Sequence, residues 1–114
     1  MTSREEDEAT FQKAMALPQN HDELSRVQAM LDEDIARNHF NRDRANQVFL
    51  FAIDNCIYRY FSALGLGSEG RRLFPRETRE YFAKVLLQRF LNQRGDIQSQ
   101  RATRSGLLAL LFGK

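Results

Sequence analysis

The chain has 114 residues, of which 42% are hydrophobic and 28% charged, so it is long enough for one domain with a core of its own. Its single cysteine excludes a disulfide within the chain and favours an intracellular, reducing compartment. No apolar region follows the acidic N-terminus, and no apolar stretch is long and uncharged enough to span a membrane, so neither a secretory signal nor a membrane span is expected.

Charge is distributed unevenly along the chain. Residues 1–37 contain four Lys and Arg residues against nine Asp and Glu, whereas residues 38–114 contain thirteen against six. Such polarity is typical of a basic face that meets an acidic partner, or of two halves that dock on each other. We therefore describe one helical domain, 1–114, with an acidic helical extension at 1–38 and a basic, aromatic body at 41–112.

Two helices are predicted in the acidic extension. Ser3 begins a capping-box sequence, and the helix it starts must end by Pro18 because proline lacks an amide donor. A second helix is predicted to begin at residues 20–23, whose acids suit the positive end of a helix dipole, and to end near Asn38. Its apolar residues recur at spacings of three and four, which indicates one buried face: Leu24, Val27, Leu31 and Ile35.

The most apolar stretch, residues 46–64, is predicted to be the central helix of the fold. Its apolar side chains surround most of the helix, and such a helix needs neighbours on several faces. Asn41 is expected to cap its start and Gly65 to follow its end. The pattern predicts an all-α fold, a small bundle of four to five helices around a central apolar helix.

Residues 65–70 spell G-x-G-x-x-G, a sequence that binds dinucleotides when a strand precedes it and a helix follows directly. Here a predicted helix precedes it, and Pro75 prevents a helix from continuing through its last glycine. A flexible loop between helices is the favoured interpretation. The next helix is predicted to begin at Pro75 and end at Gly95, and Asp96 or Ser99 is expected to cap a last helix.

No arrangement typical of catalysis is found, so we expect no enzymatic activity, no cofactor and no metal. His21 and His39 lack a second ligand at a suitable spacing, and Cys56 lies in the apolar stretch, where thiolate formation is disfavoured. Asp54 and Arg59, on the central helix, need charged partners or an opening in the bundle. A structural ion pair or a position at the rim of the bundle is the favoured interpretation for both, and a functional site is the alternative.

The basic body offers an interaction surface. Arg72, Arg76 and Arg79 are spaced to share one face, which would suit an acidic protein, a phosphate backbone or solvent alone. The apolar segment Leu107–Phe112 is expected to bury itself against the bundle or a partner. The leading hypothesis is a non-enzymatic interaction module, an adaptor or accessory subunit of a larger complex or homo-oligomer. The alternative is a nucleic-acid-binding protein that uses its Arg-rich face.

The tripeptide Ile57-Tyr58-Arg59, followed by Phe74-Pro75 and by the segment 89–94 (RFLNQR), resembles the LYR-motif family of small mitochondrial proteins. The likeness covers residues 46–112; the first motif residue is Ile rather than Leu, the glycine loop is longer, and an acidic extension comes first. The resemblance implies a helical accessory subunit that docks the acidic acyl carrier protein, and a mitochondrial location.

The candidate partner-binding residues are taken from the positions that carry the resemblance, from the basic face and from the apolar C-terminal segment. They are Tyr58, Arg59, Arg71, Arg72, Arg76, Arg79, Phe90, Leu107, Leu111 and Phe112.

Overall fold

The computed structural model describes the backbone of residues 4–107 and the side chains of residues 4–94. Within that range the chain forms five α-helices and no strand, which confirms the predicted all-α bundle. The elements are α1 (Arg4–Met15), α2 (Pro18–Ala36), α3 (Arg42–Ala63), a 3-10 turn (Gly67–Glu69), α4 (Gly70–Leu73) and α5 (Arg76–Leu107).

Helix α3 is the central element, as its apolar sequence predicts. It packs against α1, α2, α4 and α5, so its buried face is wider than that of a helix at the surface of a bundle. Its buried side chains form the middle of the core: Ala45, Phe49, Ala52, Ile53, Cys56, Ile57 and Phe61.

Aromatic rings join the outer helices to this core. Phe11 of α1 stacks on Phe82 of α5 with 4.3 Å between ring centroids, and Phe74 lies 5.6 Å from Phe82. Phe90 meets Phe49 edge to face at 6.1 Å. Because such pairs add to the free energy gained from burial alone, they fix α1 and α5 on the same side of the core.

The acidic extension packs on the basic body. Among the described side chains, three ion pairs join α2 to the body: Glu23 to Arg59, Asp32 to Arg94 at 2.6 Å, and Asp34 to Arg44 at 3.3 Å. Two halves that dock on each other therefore account for part of the charge asymmetry. The same pairs reduce the number of arginines left for an external partner.

The ends of α2 differ partly from the prediction. The helix begins at Pro18, not at residues 20–23, because the fixed φ of proline already suits the first helical position. This places Asn20 inside the helix, where it is fully buried. At the other end Asn38 has φ +60°, and the amide of His39 donates to the carbonyl of Asp34 at 2.7 Å, a bond that closes the helix as expected.

Helix α3 has the predicted ends. Asn41 caps it, since the Asn41 Oδ1 accepts a 2.9 Å hydrogen bond from the Arg44 amide, and Gly65 follows with φ +76°. No helix within the described range is long and apolar enough to cross a membrane.

The predicted helix end at Gly95 is wrong. Helix α5 continues through Gly95, Asp96 and Ser99 to Leu107, so no separate last helix begins there. A glycine inside a helix costs only about 1 kcal/mol relative to alanine, so one glycine by itself does not end a helix. Leu107 is the last residue of α5, and Leu111 and Phe112 lie outside the described residues.

Candidate functional site

A cleft of about 690 Å³ lies where α3, the 3-10 turn, α4 and the start of α5 meet. It brings together four of the candidate residues, Tyr58, Arg71, Arg76 and Arg79. We call it the α3–α5 cleft. Its complete lining is Phe51, Asp54, Asn55, Ile57, Tyr58, Gly67, Ser68, Gly70, Arg71, Arg76 and Arg79.

Helix α3 forms the aromatic side of the α3–α5 cleft. Phe51, Asp54 and Tyr58 are three, four and seven residues apart and therefore share one face of the helix. Phe51 is 67% exposed and Tyr58 63% exposed, the highest values among the large hydrophobic side chains of the described range. Two exposed aromatic rings beside a concave surface are apolar area that a partner could remove from water.

The glycine-rich segment forms the opposite wall. Gly65 and Gly67 have φ values of +76° and +36°, in the left-handed region that glycine tolerates. Gly70 packs directly on Phe61, since a Cβ atom at Gly70 would lie 3.0 to 3.2 Å from that ring and its Cβ. The flexible loop predicted here is thus a 3-10 turn and one turn of helix that places Arg71 on the cleft.

An ion pair between α5 and α3 lines the α3–α5 cleft. Arg79 Nη1 is 3.2 Å from Asp54 Oδ1, so the structural ion pair predicted for Asp54 is present. Neither Asp54 Oδ1 nor Arg79 Nε, both buried atoms, has a hydrogen-bond partner among the described residues. Asp54 Oδ1 still has the positive charge of Arg79 beside it, so Arg79 Nε is the buried atom left without a partner, at a cost of about 1–3 kcal/mol.

The arginines at the rim differ in how far they are neutralised. Arg76 Nε is 3.5 Å from Glu80, and both side chains are largely exposed, so solvent screens the pair. Arg72 bonds Glu69 at 2.7 Å and does not line the cleft. Arg71 has no ion pair within the described range, which leaves a full positive charge at the rim beside the aromatic rings.

Two candidate residues have internal roles. Arg59 faces α2, where Nη1 donates to Asn20 Oδ1 at 3.1 Å and pairs with Glu23. Phe90 is 2% exposed and packs on Phe49 and Phe40. Its assignment to a partner-facing surface is therefore corrected, because its ring belongs to the core. The side chain of Leu107 lies outside the described range, as do Leu111 and Phe112.

Sequence reasoning alone misses Phe51, because the apolar pattern places it among the core residues of α3. The apolar residues of α3 surround the helix almost completely, so periodicity alone does not tell which face is left open. A weak signal is present, because Asp54 and Asn55 interrupt the apolar pattern on the side where Phe51 and Tyr58 are exposed.

A second, shallower groove of about 530 Å³ follows α3 and α5 towards the other end of the bundle. At the edge of this groove, the Arg4 guanidinium lies 3.7 Å from the centroid of the Tyr81 ring. Arg42 donates a 3.4 Å hydrogen bond to Gln88. The buried Asn46 Oδ1 has no hydrogen-bond partner among the described residues. Arg4 and Arg42 are thus already engaged within the chain.

The buried thiol of Cys56 does not line the α3–α5 cleft. Burial raises the pKa of Cys56 to about 12, and the nearby charge of Glu23 adds to this effect. Such a thiol stays protonated and unreactive at neutral pH. Within the described range, no group of three or more His, Cys, Asp and Glu residues could hold a metal ion.

No model of a protein family, no curated protein and no solved structure matches this chain.

Proposed function

We propose that this protein is a non-enzymatic helical interaction module, an adaptor or accessory subunit of a larger assembly, that docks an acidic partner in the α3–α5 cleft. One observation carries the proposal: the exposed rings of Phe51 and Tyr58 lie in the same concave surface as Arg71 and Arg76. Partner contacts made by tyrosine and arginine side chains are those that most often dominate binding free energy.

The two kinds of side chain would have different roles in docking. Burial of aromatic area contributes about 25 cal/mol per Å² and would supply most of the affinity. The positive rim would speed the encounter with an acidic surface and disfavour basic partners. Arg71 suits this role best, because it has no ion pair within the described range to break on binding.

The resemblance to the LYR-motif family supports the same class of function. It implies an acidic partner such as acyl carrier protein and a mitochondrial location, and we keep both as part of the proposal. Tyr58 of the resembling tripeptide lines the cleft, whereas Arg59 and Phe90 are engaged inside the bundle. The buried free cysteine is compatible with a reducing compartment.

The nucleic-acid alternative is less well supported. Arg59, Arg79 and Arg94 are paired with acidic side chains of the bundle. Asp54 lines the cleft, and Glu80 lies beside Arg76. Carboxylates at these positions would repel a phosphate backbone, which binds to uninterrupted positive charge.

Photo-crosslinking tests the proposal. A photoreactive phenylalanine analogue replaces Tyr58, and in a matched protein it replaces Ala29, an exposed α2 residue that does not line the cleft. Both proteins are irradiated in the cells that make the chain. We expect a defined crosslinked protein from position 58, none from position 29, and loss of the product when Arg71→Glu and Arg76→Glu are added.

Three outcomes would contradict the proposal. They are the absence of any crosslinked protein at position 58, the same products at positions 58 and 29, and crosslinks to nucleic acid alone. Far-ultraviolet circular dichroism of each variant verifies that the exposed substitutions leave the helices intact.

A further inference from the structure

We infer that the segment bound in the α3–α5 cleft is an acidic amphipathic α-helix of a partner protein, which lies along α3 with apolar side chains against Phe51 and Tyr58. The inference rests on the proposed function and specifies the form of the partner that it requires. Its basis is the geometry of the cleft walls, the charge of the arginines that line it and the partly exposed Asp54 carboxylate.

The walls of the cleft exclude a partner that binds as a β-strand. An added strand needs a row of free backbone amides and carbonyls, but α3 and α5 satisfy these groups within each helix. The structure has no strand between residues 4 and 107 to extend. Recognition in the cleft must therefore use side chains, and a helix presents side chains along one face at fixed spacing.

The aromatic positions match the repeat of a helix. Phe51 and Tyr58 are two helical turns apart, or about 10.5 Å along the axis of α3. A helix packed alongside α3 at a small crossing angle would place its own apolar residues at i and i+7 against these two rings. The partner would thus bury the most exposed aromatic side chains of α3.

Charge selects an acidic helix over a second copy of this chain. Arg71 and Arg76 lie on the rim of the cleft. In a symmetric dimer the cleft would meet a copy of itself, so two surfaces that each carry more arginines than carboxylates would face each other. Acidic residues at the edges of the partner helix would instead pair with the arginines and gain from the positive potential.

The Arg79–Asp54 ion pair indicates what the partner presents between its two apolar residues. Asp54 Oδ1 is a buried atom 3.2 Å from Arg79 Nη1, whereas the Asp54 side chain as a whole is 40% exposed. The exposed part of this carboxylate is an acceptor that a partner could reach, and the side-chain amide of Gln or Asn has two donors for it. An apolar residue at this position would cover the carboxylate without a hydrogen bond, and an acidic residue would be repelled by it.

Synthetic peptides provide the test. The probe is a fluorescent, side-chain-stapled helical peptide with Leu at two positions seven residues apart, Gln midway between them and Glu on both flanks. A shuffled peptide has the same composition without one apolar face, and a third peptide replaces Glu by Lys. Binding to the full chain is measured by fluorescence anisotropy, and the bound surface is mapped by amide chemical shifts in NMR.

We expect the patterned acidic peptide to bind at least about tenfold more tightly than either control, with shifts centred on 51–58 and 70–79. Tyr58→Ala and Arg71→Glu should each weaken binding by about tenfold or more. Arg89→Glu, a change at an exposed arginine that does not line the cleft, should leave the affinity within about twofold.

Equal affinity for the patterned and shuffled peptides would overturn the inference, as would shifts centred away from the cleft. Displacement of the peptide by a duplex oligonucleotide at low concentration would overturn it in favour of nucleic acid. A dimer mass in solution that Tyr58→Ala reduces to that of the monomer would overturn it in favour of a second copy of this chain. If a partner protein crosslinks at position 58 but the patterned peptide binds no better than the controls, the proposed function stands. Only the inference that the partner segment is a helix is then rejected.

Discussion

Asn20 and Arg59 are joined across the interface of α2 and α3, where Oδ1 of the fully buried Asn20 accepts a 3.1 Å hydrogen bond from Arg59 Nη1. The Asn20 Nδ2 group donates to the Ala14 carbonyl at 2.8 Å and to the Cys56 carbonyl at 3.0 Å. One amide thus connects the end of α1, the first turn of α2 and the middle of α3. It fixes the acidic extension on the central helix.

Replacement of Asn20 by leucine, which has a similar volume, should therefore destabilise the fold. The Ala14 carbonyl, the Cys56 carbonyl and the Arg59 guanidinium would each lose one hydrogen bond to Asn20, and a typical hydrogen bond contributes about 0.5–1.5 kcal/mol net. We expect the free energy of unfolding in urea to fall by about 2 kcal/mol or more. Gln19→Leu, at an exposed neighbouring position, is the control and should change it by less than about 0.5 kcal/mol. A similar effect of both substitutions would contradict the role assigned to Asn20.

Arg59 should contribute to stability and not to partner docking. Its side chain is about one third exposed, pairs with the mostly buried Glu23, and lies outside the α3–α5 cleft. Arg59→Met leaves the Glu23 carboxylate with its Asn55 hydrogen bond but without its ion pair. We expect a double-mutant cycle of Arg59→Met and Glu23→Gln to give a coupling energy of about 1 kcal/mol, measured by urea unfolding. If a folded Arg59→Met protein no longer forms the crosslink at position 58, Arg59 belongs to the docking site and the prediction is wrong.

Cys56 should be protected from thiol reagents in the folded protein. Because burial raises the pKa of Cys56 to about 12, almost no thiolate exists at about pH 8, and the core blocks access. Labelling with an aromatic disulfide reagent should proceed at the rate at which the fold opens, and it should become fast in denaturant. A native labelling rate close to that in denaturant would indicate that residues 46–64 do not form an enclosed helix.

The Asp32–Arg94 pair should make stability depend on acid pH. Arg94 donates two hydrogen bonds to the Asp32 carboxylate, at 2.6 and 2.8 Å, and these bonds lower the pKa of Asp32 below its ordinary value of 3.8. A carboxyl with a lowered pKa in the folded state stabilises the protein above its unfolded pKa, and this stabilisation is lost as the pH falls through the folded value.

The difference in unfolding free energy between the wild-type protein and Asp32→Asn should thus be constant near neutral pH. It should shrink once the pH falls below about 4. Asp32 is partly exposed, so salt should reduce the difference as well. Urea unfolding across this pH range at two salt concentrations measures both effects, and a difference that stays constant into acid would contradict the assignment.

Much of the fold could be predicted from local signals, because these act within a few residues. The Asn41 cap, the stop at Gly65 and the central position of α3 follow from hydrogen-bonding capacity, backbone conformation and apolar content. Gly95 shows the limit of such signals. The helical preference of its neighbours outweighs the modest cost of one glycine, and the sequence alone does not give that balance.

The site was less predictable because it depends on contacts between distant residues. Tyr58, Arg71, Arg76 and Arg79 could be chosen from type and spacing, but the internal partners of Arg59 and Arg79 come from other helices. The exposure of Phe51 likewise depends on where α2 and α5 leave α3 uncovered. Such facts require the packing arrangement and not only the periodicity of one segment.

A charge-swap experiment tests the central claim, that the α3–α5 cleft docks an acidic protein, most directly. Arg71→Glu and Arg76→Glu are introduced into the protein, and the acidic residues of the segment crosslinked at Tyr58 are changed to lysine in the partner. Complex formation is measured by co-purification of the two proteins. We predict that the arginine changes alone abolish the complex and that both sets of changes together restore it. A complex that survives the reversed arginines, or that the compensating lysines fail to restore, would contradict the account.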